Sequence, residues 1–238
     1  MALPPLVLSL LPAGLAAGRL AGSLGQAHPL DGQEADPSTP LRFDLEALAG
    51  RMSELRGDST LTIAFALVLE AQHRGEPAAY VTGSVASFYP PDVMDGGVDL
   101  DALVVIRAAE ATARARAADE LLRSGAFALV LVDLADLQAA ARQSRIPPAL
   151  LSRLHALAQK HHSALVFLNC AGASAGAASG DEVPSLLGSL ISLRAMVRRR
   201  PVGESRSRFD VCVEVVKDKR RAPGWTHTER CRGPVGLA

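Results

Sequence analysis

The sequence predicts an α/β domain: a mostly parallel twisted sheet with flanking helices and a C-terminal antiparallel β extension. Three observations carry this. Short apolar runs alternate with helical patterns from Arg51 to Leu168, as strand–helix–strand units do. The runs Phe127–Leu134 and Ala164–Leu168 are continuously apolar, as strands buried on both faces are. After Asn169 the helical signals stop, and Gly188–Val197, Phe209–Lys217 and Thr226–Arg232 read as strands in succession.

The chain has 238 residues, enough for one well-buried core. Aromatics are 4% of a chain that is 48% hydrophobic, so the core must be mostly Ala, Leu and Val. In order, residues 1–24 suggest a short helix from about Ala13 to Leu24. The next stretch, to Leu41, reads as a polar linker with three prolines. Residues 1–41 are thus set apart from a core domain spanning 42–238. The apolar start raises the question of a signal peptide. No Lys or Arg precedes Arg19, however, and prolines at 4, 5 and 12 break the run. No run is long and unbroken enough to span a bilayer.

The core opens with a short helix in FDLEALAG and a strand at Arg51–Leu55. Asp58 or Ser59 caps a helix that runs to about Arg74, and Gly75 ends it. Ala78–Val81 is a strand, SFYPPDVMDGG a loop, and Leu103–Ile106 a strand. Glu110–Ser124 is an amphipathic helix ending at Gly125, with Arg114, Arg116, Asp119 and Arg123 as its solvated face. Pro147 opens a helix that reaches His161 or His162.

Formal charge sums to zero but is uneven. Between Arg194 and Arg232 there are 12 Lys/Arg against 5 Asp/Glu. Two readings stay open: a surface for nucleic acid or an acidic partner, or a sheet edge blunted with charge. Within it, Arg198, Arg199, Arg200, Lys217, Lys219, Arg220 and Arg221 are the contact candidates. Trp225, the one tryptophan, is a core or hairpin anchor or a partner hot spot. Three cysteines with no CxxC spacing make no disulfide framework, which suggests a reducing, cytoplasmic setting. The histidines have no carboxylate or cysteine at metal spacing, so no metal site is expected.

The motif with chemical content is Leu55-Arg56-Gly57-Asp58-Ser59-Thr60. A phosphate loop reads GxxxxGK[ST]: backbone amides cradle phosphate, Lys neutralises charge, and the hydroxyl binds magnesium. Here Gly57 and the hydroxyls of Ser59 and Thr60 remain, but Asp58 stands at the lysine position and the loop is short. A carboxylate about 4 Å from a phosphate charge costs on the order of 4 kcal/mol at a surface dielectric. Asp133 ends the apolar strand where a metal-binding carboxylate belongs; the alternative is an aspartate that simply closes a strand.

From Phe43 to Gly236 the chain resembles the RecA recombinase core. DSTLTIAFALVLEAQHRGEPAAYV is similar to the phosphate-loop helix and the strand after it, and FDVCVEVVKDKRRAPG to the end of that core. GVDLDALVVIR, LLRSGAFALVLVDLADL and RIPPALLSRLHALAQKHHSALVFL leading to GSLISLRA resemble ImuA-type proteins more closely. These are RecA-like accessory factors of bacterial translesion synthesis, encoded with a Y-family-like polymerase homologue, ImuB. The resemblance implies that the catalytic glutamate position is Ser84 and the γ-phosphate-sensing position is Cys170. Lys217 and Lys219 match the lysines that reach a neighbour's nucleotide in a RecA filament, and are relics, surface charges or partner contacts.

Two further stretches match RecA's DNA-binding loops. The stretch 138–146 is shorter than its counterpart, and 171–185 has no Lys, Arg or aromatic. The resemblance therefore implies a non-enzymatic adaptor of the DNA-damage response without ATP or magnesium. Its partners would be an ImuB-type polymerase homologue and RecA, with weak or indirect nucleic-acid contact and no membrane. An exposed RecA-type edge leaves homo-oligomers open. A divergent RecA-paralogue ATPase that binds DNA, or a SulA-like cell-division inhibitor, are the alternatives.

Overall fold

The computed structural model describes residues 41–83, 88–140, 146–169, 187–202 and 208–232. The helix expected within residues 1–24 lies outside them, as do Ser84, Cys170 and the stretch 171–185.

The chain runs α1 (Leu45–Leu48), β1 (Arg51–Gly57), α2 (Thr60–His73), β2 (Ala78–Thr82), α3 (Pro90–Asp95), β3 (Leu103–Arg107), α4 (Ala111–Ser124) and β4 (Leu129–Asp133). A 3-10 turn at Ala135–Ala140 leads to α5 (Pro148–His161), β5 (Ala164–Asn169), a second such turn at Gly188–Leu190, then β6 (Leu193–Pro201), β7 (Arg208–Asp218) and β8 (Thr226–Arg232). All eight strands form one sheet in the order β3-β2-β4-β5-β1-β6-β7-β8. β3 to β6 pair in parallel along it, and β7 and β8 add antiparallel. The expected architecture is present, the β extension included.

Burial follows from position. β1, β2, β4 and β5 sit inside the sheet with helices on both sides, and every residue in them is buried. Alternate side chains feed two cores. Leu55, Tyr80, Leu131 and Val166 pack with α2, whereas Met52, Val81, Val132 and Phe167 pack with α4 and α5. β7 alternates instead: Phe209, Val211, Val213 and Val215 point inward and their neighbours outward. α4 ends at Gly125, whose left-handed φ of 66° closes the helix at no Cβ cost.

Four expectations are corrected. SFYPPDVMDGG is not all loop: Pro90 and Pro91 start α3, where proline's fixed φ and missing N–H suit the first turn. Arg114 and Asp119 are not on a solvated face but buried; Arg116 and Arg123 are exposed as expected. The strand begun at Arg51 runs on to Gly57 because β6 pairs with it that far. The stretch from Gly188 is first a 3-10 turn, and its strand starts at Leu193.

Candidate functional site at the carboxyl ends of the strands

In open parallel sheets, ligands sit beyond the carboxyl ends of the strands. Here that edge gathers Gly57 of β1, Gly83 after β2, Asp133 of β4 and Asn169 of β5.

Between Gly57 at the end of β1 and Thr60 at the start of α2 only Asp58 and Ser59 intervene. Gly57 has φ of 137° and lies against β6: a Cβ built on it would stand 1.8 Å from the Val197 carbonyl oxygen. Asp58 Oδ1 accepts the backbone N–H of Arg199 at 3.2 Å, which ties the turn to β6. Ser59 occupies the helix N-cap position, but its side chain makes no capping bond. Ser59 and Thr60 are both buried. A two-residue turn cannot wrap backbone amides round a phosphate, and a carboxylate occupies it. The residues present do not fit a magnesium–nucleoside triphosphate.

Asp133 is 1% exposed. Its Oδ2 accepts the Tyr80 hydroxyl at 2.7 Å and its Oδ1 the Ala135 N–H at 2.9 Å. Both oxygens thus have protein donors, one across the sheet and one starting the turn after β4. Tyr80 is itself held by Phe65 and Phe88, with ring centroids 5.4 and 5.6 Å away. β5 separates Asp133 from the turn at Gly57.

Arg114 fills the neighbouring crevice. Its side chain is fully buried, and its guanidinium donates to the Ala108, Ala109 and Asp133 carbonyls at 2.8, 3.1 and 2.7 Å. It also meets Asp136 with two parallel bonds, the longer 2.7 Å. This is the fork geometry that suits Arg and not Lys. Gly83 is needed beside it: a Cβ there would overlap Nη2 at 1.4 Å.

On the α5 side, Glu54 stands inside β1. Its Oε1 accepts from Arg56 Nε at 3.0 Å and Asn169 Nδ2 at 3.2 Å, and its Oε2 from Arg194 Nε at 2.7 Å. Burial alone would raise its pKa. The charges of Arg56 and Arg194, with the hydrogen bonds, outweigh this and hold it below the usual carboxylate range. The network ties β1, β5 and β6 together at the start of the stretch after Asn169.

The basic contact candidates separate by placement. Lys219 donates to the Ser189 carbonyl at 2.7 Å, and Arg220 to the Ala49 and Gly50 carbonyls at 3.1 and 3.2 Å. Lys217 is half-buried and Arg221 exposed. Asp218 organises this turn: it pairs with Arg51 and accepts the Arg220 and Arg221 N–H groups and Trp225 Nε1. Burial pushes the Asp218 pKa up; Arg51 and the two backbone donors bring it below its ordinary value. Trp225 also lies 6.3 Å from the Phe43 ring and anchors the β7–β8 hairpin. Arg199 places its guanidinium 4.0 Å over Phe209, while Arg198 and Arg200 project from the opposite side of β6 and are exposed.

Sequence reasoning missed Glu54, Asn169, Arg114 and Arg51. A signal for two of them was present. RMSELRG places three charges in a strand of a chain whose other central strands are apolar, and such charges need partners. Among the described residues no three His, Cys, Asp or Glu side chains stand where they could hold a metal. Nor is any described helix long and apolar enough to cross a membrane.

The fold is RecA-like. The chain superposes on a crystal structure of the RadB recombinase with a TM-score of 0.56 and 18% identity, over 76% of this chain and 87% of that one. No family model matches the sequence, and no curated protein matches it.

Proposed function

We propose that this RecA-like protein is a non-catalytic adaptor in the DNA-damage response. In this reading it binds an ImuB-type polymerase homologue and RecA, supports translesion synthesis and modulates recombination. The observation that carries it is the turn at Gly57–Thr60, where two residues and the Asp58 carboxylate replace a phosphate cradle on an otherwise intact frame. Asp133, with both oxygens bonded inside the protein, supports the same reading. The ImuA-like segments supply the polymerase homologue as partner, and the RecA-like fold points to recombination and repair.

The test has two parts. Purified chain is mixed with the ImuB-type homologue and with RecA, and complexes are measured by analytical ultracentrifugation. ATP turnover is measured for the wild type and for Asp133→Asn. A complex with either protein and turnover at the buffer level are expected. Turnover that Asp133→Asn abolishes would overturn the adaptor reading in favour of a divergent ATPase.

A further inference from the structure

β8 ends the sheet, so among the described residues one side of its backbone has no strand beside it. Hydrogen bonding shows which groups face outward. Val215 of β7 donates to the Trp225 carbonyl at 2.9 Å and accepts from Gly224 at 2.7 Å. Alternation along an antiparallel pair then turns His227, Glu229 and Cys231 toward β7. The N–H and C=O groups of Thr226, Thr228, Arg230 and Arg232 point to the open edge. The side chains of the same four residues are exposed on one face.

That face is basic. Arg230 and Arg232 are joined on it by Arg208 of β7 and by Arg198 and Arg200 of β6, against Asp210 and Glu214. Arg208 and Arg232 are direct cross-strand partners, a like-charge pair that costs stability and that an incoming anion would relieve. Arg230 bonds Asp210 at 2.9 Å, but its side chain is 70% exposed, so this contact is weak and exchangeable. β8 pairs over seven residues without a register shift, and has neither proline nor bulge to prevent strand addition.

We propose that β8 is a docking edge for an extended acidic segment of a partner protein. The segment adds as a ninth strand, and carboxylates at alternate positions meet Arg230, Arg232 and Arg208. The free ladder favours a polypeptide over nucleic acid, and no aromatic among the described residues lies on this face to stack a base. This deepens the adaptor reading by giving the partner's chemistry, but its test is independent of nucleotide turnover.

The probe is a labelled seven-residue peptide alternating Glu and Val, titrated with full-length protein by fluorescence anisotropy at low salt. Two variants decide. Thr228→Pro removes one outward N–H and no bond to β7, as an edge strand tolerates. The double variant Arg230→Glu, Arg232→Glu reverses the charge. Each should weaken binding at least tenfold, and the charge-reversed protein should instead bind a Lys/Val peptide. Unchanged binding by Thr228→Pro, failure of the Lys/Val peptide to bind the charge-reversed protein, or a single-stranded oligonucleotide of equal charge binding as tightly as the peptide would each overturn the proposal. Should Thr228→Pro fail to fold, the charge exchange alone decides it.

Discussion

Gly57 and Arg114 show how single residues set the shape of the carboxyl edge. Gly57 holds φ of 137° and leaves no room for a Cβ beneath the Val197 carbonyl. Gly57→Ala should therefore cost about 3 kcal/mol, as strain and a backbone clash together do, measured by urea unfolding. A cost under about 1 kcal/mol would mean that β6 can draw away from β1. Arg114 satisfies three carbonyls and one carboxylate from a fully buried position. Arg114→Ala should cost about 3–5 kcal/mol, the range for removing one partner of a buried ion pair. Arg114→Lys should recover less than half of that, because an ammonium cannot reach all four groups from one point. Full recovery by Lys would show that charge, and not the planar fork, holds the strand ends together.

The elements differ in how far they could be read from sequence. β4 and β5 were legible because a strand buried on both faces needs an unbroken apolar run. α2, α4 and α5 were legible from period and from their terminal residues, with Gly75 and Gly125 turning left-handed where expected. α3 was not, because Pro90-Pro91 is a loop signal unless a helix happens to begin there. The burial of Arg114 was not legible either. An amphipathic pattern assigns every charge to solvent, and only the fold brings three carbonyl ends to one guanidinium. At the candidate site, Asp58 in place of lysine was readable in the motif, whereas the partners of Asp133 were not: Tyr80 is 53 residues away and meets it only through β2–β4 pairing. That link is testable. A double-mutant cycle on Tyr80→Phe and Asp133→Ala should give a coupling of about 1.5–3 kcal/mol, the value of a buried bond to a charged acceptor. Coupling near zero would mean that Asp133 is held by the Ala135 N–H alone.

At the scale of the whole molecule, buried charge makes folding depend on pH on the acid side. Glu54 and Asp218 have folded-state pKa values below their ordinary 4.5 and 3.8. Each binds a proton less readily when folded, so each stabilises the fold above its ordinary value and loses that contribution as pH falls through the folded value. His155 adds to the same limb from higher pH. Burial, with the nearby Lys219 charge, lowers its pKa from 6.5, so protonating it below that value favours the unfolded chain. Stability should decline gently below about pH 6.5 and steeply below about 4.5. Glu54→Gln separates the terms. At pH 7 it leaves Arg56 and Arg194 without their carboxylate and should cost about 3 kcal/mol. As the pH falls below 4.5 and through the lower folded value, the wild type loses the same charge, so the gap between the two proteins should narrow. Chemical denaturation across this range reads the difference directly. A gap that stays constant with pH would mean that Glu54 titrates alike in the folded and unfolded chain, so that Arg56 and Arg194 do not favour its charged form.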